Sequence, residues 1–371
     1  MSQRRQAAVL WHDDVLLHDS GKGLFEAAAS ELLDVQEPHP EGPARIRNIR
    51  AVLERGPLRE RLRWESGRHA SQEELATIHD PAYVESIRRL SAAGGGRPTP
   101  TTVASAETFR AACAAAGTAI AATEAVLRGR APVAYALVRP PGHHAQPAQV
   151  DGYCFFNNVA LAAQAAIERE GLSRVAIIDW DVHHGNGTQE CFYERADVLT
   201  ISLHMSHGAW GPTHPQTGGP EEVGAGPGRG LNLNLELPLG TGDEGYVSAM
   251  ERAVVPAVDR FAPQLLLVAA GQDASQFDPN GRQALSMAGF RQLGAIARTL
   301  ADRHCDGRLV LVQEGGYAPT YAAFCAHATL EGVLDTGVLL PEPLAYLPDQ
   351  PGRADAAIDA ALAAHTQLAA G

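Results

Sequence analysis

Short runs of almost unbroken aliphatic residues, well separated by alanine-rich stretches, leave this chain few ways to fold. The runs are Val133–Val138, Arg174–Asp179, Val198–Ser202, Leu231–Leu235, Gln264–Ala270 and Arg308–Gln313. A strand that is apolar on both faces must have both faces covered, which is the condition of strands in a parallel sheet. The stretches Ala104–Arg128, Asn158–Glu170, Tyr246–Arg260 and Ser286–Asp302 read as helices. Strands alternating with helices assemble from βαβ units. The expected fold is therefore α/β, a mostly parallel central sheet flanked by helices. Length alone would allow two or three domains, but with neither an internal repeat nor a convincing linker, residues 1–371 are read as one.

Some segments fall outside this rhythm. Gly94–Thr102 and the longer Trp210–Gly230 are rich in glycine with proline or threonine, and long loops in compact domains are often functional. Residues 341–371 form a proline-rich segment, Pro341–Gly352, and a last helix, Ala354–Ala370, expected to serve packing or oligomer contact.

The formal net charge of −13 argues against nucleic acid or an anionic membrane as partner, while leaving a basic or polyamine substrate open. Five scattered cysteines without CxxC spacing read as reduced thiols of a cytoplasmic protein. The apolar run Ala7–Trp11 is too short for a signal peptide, and no stretch is long enough to span a bilayer.

Ligands of open α/β sheets bind beyond the carboxyl ends of the strands. Five predicted strands run straight into unusual polar residues there: Arg139-Pro-Pro-Gly-His-His144, Asp179-Trp-Asp-Val-His-His-Gly-Asn186, Ser202-Leu-His204, Gly271-Gln-Asp273 and Gln313-Glu-Gly-Gly-Tyr317. Asp179, Asp181 and His183 alternate along an extended chain and point one way. Asp181 and His183 can share a cation to which Asp273 adds a third ligand. Three protein ligands leave a position for water, as in catalytic metal sites; so oxygen-rich a set also suits Fe²⁺, Co²⁺ or Mn²⁺. His143 and His144, on a turn stiffened by Pro-Pro-Gly, can exchange protons near neutral pH, with Asp179 and Asn186 as candidates to orient them. Tyr317, aimed by Gly315-Gly316, can donate to a developing oxyanion.

Taken together these residues resemble the histone deacetylase family, and within it the class II-like bacterial amidohydrolases. The motifs that carry the resemblance are Arg139–His144, Gly152-Tyr-Cys-Phe-Phe-Asn-Asn158, Asp179–Gln189 (DWDVHHGNGTQ), Ser202–His204 and Glu314–Tyr317, with His39-Pro-Glu41 and Thr77–Tyr83 before them. It extends over about residues 5–335. It implies the arginase/deacetylase fold, one Zn²⁺ on Asp181, His183 and Asp273, and a His143/His144 dyad backed by Asp179 and Asn186 respectively. Tyr317 would polarise the scissile carbonyl, and His184 would sit next to a ligand without being one. A structural K⁺ is implied near Asp179, with Asp181, His183, Ser202 and Leu203. Relatives are often dimers or tetramers, so a homo-oligomer is expected, with the Trp210–Gly230 loop or the last helix as contact.

The chain departs from the family pattern at Tyr153, where Phe is usual, at Gln272, and in the loop holding Trp210 and His214. These residues, with Gly315 and Gly316, are the candidate substrate lining. They favour a small-molecule or acylated-amine substrate over a histone tail: an acetylpolyamine, a natural-product amide or a xenobiotic amide. An arginase-type enzyme with two Mn²⁺ lacks its extra carboxylates here. A non-catalytic binding module would be expected to have lost a ligand or Tyr317, and neither is missing.

Overall fold

A computed structural model describes residues 5–23, 30–206, 217–343 and 350–369. Its centre is an eight-stranded sheet in the order β2-β1-β5-β10-β9-β6-β7-β8. The strands are β1 (Ala7–Trp11), β2 (Leu62–Ser66), β5 (Val133–Ala136), β6 (Val175–Asp179), β7 (Val198–Met205), β8 (Asn232–Leu237), β9 (Leu265–Ala270) and β10 (Leu309–Gln313). Every neighbouring pair is parallel. A two-residue pairing of β3 (Gly95–Gly96) with β4 (Ala104–Ser105) stands apart.

The unbroken aliphatic runs have the cause the sequence suggested. Leu266, Val268 and Ala270 of β9 join one core cluster, and the alternate residues Leu265, Leu267 and Ala269 join another on the opposite face. Strands β6 and β10 divide in the same way. Each fully buried Val or Leu in such a layer contributes about 1.5–3 kcal/mol relative to an exposed one, so polar substitution is excluded along most of these strands. Only past their carboxyl ends do charged residues collect.

The helix Asn158–Glu170 lies where expected, capped by the Asn157 side chain accepting from Ala160 N and ended by Gly171 at φ 72°. Tyr246–Arg260 is corrected. The segment is α-helical over Asp243–Ala249, widens to π-type turns over Met250–Val254, and resumes over Val255–Phe261. Pro256 is the reason: its ring crowds the carbonyl four residues back and it has no N–H to give. The chain widens, and Val255 N–H reaches back to Met250 O instead. Ala104–Arg128 is also shortened, to Thr108–Leu127, because Ala104–Ser105 is taken into β4 and the Thr108 hydroxyl accepts Ser105 N–H at 2.6 Å. The last helix, Asp355–Ala369, docks on the chain's own β8, with Ile358 and Ala361 buried and His365 Nε2 donating to Asn232 O at 2.8 Å. Among the described residues no helix is long and apolar enough to cross a membrane.

Strand order decides where the polar segments meet. They follow β5, β10, β9, β6 and β7, which are consecutive neighbours in the sheet. Residues from 139 to 317 are thereby brought to one stretch of rim.

Candidate active site

The DxDxH segment leaves β6 with Asp179 as its last residue. Asp179 Oδ1 accepts Asp181 N at 3.0 Å, and Asp181 Oδ1 accepts His183 N at 3.0 Å. These two local bonds keep the segment turned on itself beyond the sheet. From the neighbouring β9, Asp273 arrives on the same spot, anchored by Val182 N donating to its Oδ1 at 2.9 Å. His183 Nδ1 then lies 3.0 Å from Asp181 Oδ1 and 3.1 Å from Asp273 Oδ2. Asp181, His183 and Asp273 each offer one ligand atom within 4.8 Å of the others, and all three are buried. Two buried carboxylates facing one imidazole are costly without a cation between them. Apart from this contact with His183, Asp273 Oδ2 has no polar partner among the described residues, as suits an atom that could bind an ion. The donor set therefore fits a divalent metal.

Strand β10 closes this cluster with glycine. Gly315 N donates to Asp181 Oδ2 at 2.8 Å. A Cβ at Gly315 would fall inside van der Waals contact of Asp273 Oδ2 and 2.7 Å from Asp181 Oδ2. Both atoms are rigidly held, so the cost falls on the ligands. Gly315→Ala is expected to weaken metal affinity by about 10- to 100-fold, the usual scale for disturbing the shell around a ligand. Competition with a chelator of known affinity, against the wild type, checks this, and an unchanged affinity would refute it.

The His pair meets both candidate partners. His143 Nδ1 donates to Asp179 Oδ2 across 2.8 Å, and His144 Nδ1 donates to Asn186 Oδ1 across 2.7 Å. Each ring is left with Nε2 as its basic nitrogen. The two ring centroids are 3.9 Å apart with their planes inclined at 44°, and His144 lies 5.9 Å from the His183 ring. Burial opposes a charge on His143, but the carboxylates of Asp181 and Asp179 outweigh it and raise its pKa well above the ordinary value.

Tyr317 is buried, its ring 6.4 Å from that of His183 and edge-on to Tyr153 at 5.7 Å. Its N–H is bonded to Asp278, but its hydroxyl makes no hydrogen bond among the described residues. Burial first, then the nearby carboxylates of Asp273 and Asp181, push the phenol well above its usual pKa, so it keeps its proton.

Several contributors are given no role by the sequence. Asp151 accepts Asn186 Nδ2 at 3.2 Å, extending the chain behind His144, and burial pushes its carboxyl up to about 6. Glu314 Oε2 accepts the N–H groups of Gly142 and His143 at 2.6 and 3.2 Å, fixing the Pro-Pro-Gly turn to β10. Glu41, fully buried, binds Arg45 at 2.9 Å and Arg139 at 2.8 Å. Arg45 reaches on to Glu314 O at 2.8 Å and sits 5.5 Å over the Tyr317 ring. A pair of arginines sharing one carboxylate with the strand-end loops has no local sequence signal beyond the His39-Pro-Glu41 and Arg139–His144 matches, neither of which shows the pairing.

Other predicted residues are placed differently. Gln272 is turned inward: its amide donates to Ala270 O at 2.6 Å and accepts Gln313 Nε2 at 2.8 Å, so the polar group is engaged within the strand-end layer. Tyr153 stands at the site with φ 69°, its hydroxyl 3.4 Å from Asn280 Nδ2. Gly316, at φ 120°, packs its backbone against Gln272. Ser202 pairs with Asp179 in register and contacts His204 Nδ1 at 2.9 Å; Leu203 is buried beside it. His184 bonds Gln189 at 3.1 Å, outside the ligand set. Trp210 and His214 lie outside the described residues. A cavity of about 550 Å³, whose lining includes Gln146, Gln149, Asn186, Gln189, Tyr193 and Glu222, touches the His144 partner but none of the three candidate ligands. A second His/Asp grouping, His12, Asp14 and His69, has its carboxylate held by Arg110 at 2.7 and 3.1 Å and reads as an ion pair.

Comparison with known proteins decides the family. The Histone deacetylase domain pattern matches residues 39–333. The chain belongs to the histone deacetylase family. It is 48% identical over 363 residues to Histone deacetylase 8 of Arabidopsis thaliana, covering 97% of this chain and 96% of that protein. It is 45% identical over 306 residues to the histone deacetylase-like amidohydrolase of Pseudomonas aeruginosa, covering 82% and 80%. Among solved structures, the crystal structure of the HDA15 HD domain superposes with a TM-score of 0.84 at 32% identity, covering 98% of this chain and 95% of that one. The fold is thus the arginase/deacetylase fold, and the protein is a deacetylase or amidohydrolase of that family.

Proposed function

We propose that the protein hydrolyses the amide bond of an acylated amine or a small-molecule amide, using one Zn²⁺ held by Asp181, His183 and Asp273. The observation that carries this is the meeting of those three ligand atoms with the His143–Asp179 pair, the His144–Asn186 pair and the Tyr317 hydroxyl, unpartnered among the described residues, on adjoining strand ends. The ion, when bound, supplies Lewis acidity that polarises a carbonyl and acidifies water.

The residues supply the rest. Each imidazole has its Nδ1–H committed, so Nε2 of the dyad takes the proton of the attacking water and returns one to the leaving amine. The pair is coupled at 3.9 Å, so the two steps belong to it jointly. With its charge shared by an ion, Asp181 would raise His143 less, and the pKa of that ring would fall from its elevated value. Tyr317, with its proton retained, donates to the oxyanion as charge develops there. Asp179 also fits a second role. With Ser202 it lines a cavity of about 10 Å³ beside β7; of the residues expected around a structural K⁺ these two line it, while Asp181, His183 and Leu203 do not. The hydroxyl of Tyr153, near the Asn280 amide, gives the site wall a polar edge and favours a substrate with a polar atom close to its acyl group.

The test is a panel of acyl-lysine peptides, acetylpolyamines and small amides, incubated with protein of verified zinc content. Turnover of acetylpolyamines or small amides above acyl-lysine peptides is expected. No turnover of any member would overturn the reading, and a preference for acyl-lysine would redirect it to protein deacetylation.

A further inference from the structure

We propose that Asp278 is a positioning residue that locks Tyr317 to the loop carrying Asp273; this rests on the reading of Tyr317 as hydroxyl donor. The two segments involved, Gly271–Gln283 and Glu314–Thr320, contain no helix, and an isolated bridge from Ser275 to Leu285 is their one ladder pairing among the described residues. Tyr317 moreover follows Gly315-Gly316, and Gly316 adopts φ 120°. Two successive glycines give the backbone wide freedom, so the tyrosine needs an anchor that its own sequence neighbours cannot provide.

Asp278 is that anchor. It is buried, and one oxygen, Oδ2, accepts Tyr317 N at 2.6 Å and Ala318 N at 3.2 Å. The other, Oδ1, accepts Asn280 N at 2.9 Å and Gly281 N at 3.2 Å. Gly281 in turn presses its backbone on the Asp273 carbonyl so closely that a Cβ would not fit. One carboxylate thus collects N–H groups from both loops. The candidate oxyanion donor and the third candidate ligand are held at a fixed separation through it. Four backbone N–H groups, two from each loop, converge on the two oxygens of this one side chain, and among the described residues no other carboxylate is seen to bond both loops in this way.

Asp278→Asn keeps the shape but turns one acceptor oxygen into an N–H₂ group facing two N–H donors. Tyr317 then loses its tether while its hydroxyl remains. A displacement of about 1 Å at a reacting group costs about 10²-fold, so kcat on the best panel substrate is expected to fall about 10- to 100-fold, with KM and zinc content near wild type. A residue that only supports the fold would lower stability or metal content without this split. The decisive experiment is a double-mutant cycle with Tyr317→Phe. If Asp278 acts through the hydroxyl, Asp278→Asn adds little to Tyr317→Phe. The full loss recurring in the Tyr317→Phe background would overturn the proposal.

Amide hydrogen exchange gives a second readout that does not depend on catalysis. The Tyr317 and Ala318 amides are expected to exchange about 100-fold more slowly in the wild type than in Asp278→Asn. Rapid exchange in the wild type overturns the clamp even if the variant fails to fold. A Tyr317→Phe enzyme with undiminished activity, beside slow exchange in the wild type, would locate the error in the role of the hydroxyl and not in the clamp.

Discussion

Replacing Tyr317 by phenylalanine is expected to slow amide hydrolysis by about 10²–10³-fold, the scale for deleting one oxyanion donor, while metal content and thermal stability stay those of the wild type. The two halves of this expectation have separate grounds. Stability should hold because the hydroxyl makes no hydrogen bond among the described residues, so its removal strands no partner there. The ring keeps its edge-on contact with Tyr153 and its place under Arg45. Catalysis should fall because burial and the two nearby carboxylates keep the phenol protonated, and a protonated phenol without a partner is a donor in waiting. Steady-state rates on the best substrate, elemental analysis and a melting curve check it together. A kcat within about threefold of wild type would remove Tyr317 from the mechanism.

The second large effect concerns the ion. Dialysis against a chelator is expected to abolish turnover, and one equivalent of Zn²⁺ to restore it in the wild type but not in Asp181→Ala. Hydrolysis persisting in a verified metal-free preparation would refute the metal reading. Rebinding should also depend on pH in a definite direction. Burial opposes protonation of His183, but the carboxylates of Asp273 and Asp181 more than compensate and raise its pKa to about 9. Below that value the metal must displace a proton from His183. Apparent affinity should therefore climb with pH, by up to about tenfold per unit, and level off as pH passes the folded-state pKa. Titration of metal-free protein at several pH values measures the slope, and a flat profile would mean that His183 is neutral before the ion arrives.

What can be read from the residues depends on how locally each feature is encoded. The central strands are legible because they are packed on both faces and tolerate little but Val, Ile, Leu and Ala. Ala7–Trp11 is equally aliphatic, yet by itself it says only that it is too short for a signal peptide; its role as β1 depends on pairing with Leu62–Ser66 and Val133–Ala136. Strand β2 is invisible for a different reason. It is an edge strand with Arg63 and Glu65 beside partly exposed Trp64, so no aliphatic run marks it. The helix Pro43–Arg55 carries its apolar residues Ile46, Ile49 and Leu53 among arginines, which mask the pattern.

The candidate site shows the same division. Asp179, Asp181, His183, His143 and His144 stand out because polar residues directly after aliphatic strands are conspicuous. Asp151, Asp278 and Arg45 are not conspicuous at all, and Glu41 and Arg139, though they stand in motifs, give no sign in the sequence that they pair. Their meaning lies in backbone N–H groups and arginines far away in the chain, and only folding brings those together. Gln272 misleads in the opposite way: a polar residue next to a candidate ligand suggests the substrate wall, whereas the layer beneath needs its amide.

The order of strands also bears on how the protein comes into being on the ribosome. Gly142 N–H and Glu314 Oε2 are bonded across 172 positions of chain, and β10 sits between β5 and β9. The last strand to be synthesised is thus inserted in the middle of the sheet. Until it emerges, β5 and β9 lack their shared neighbour, and Asp181 and Asp273 lack the Gly315 backbone that lines them. A nascent chain has no finished cradle for a metal ion at any earlier point of translation, so metal capture would report that synthesis has passed β10.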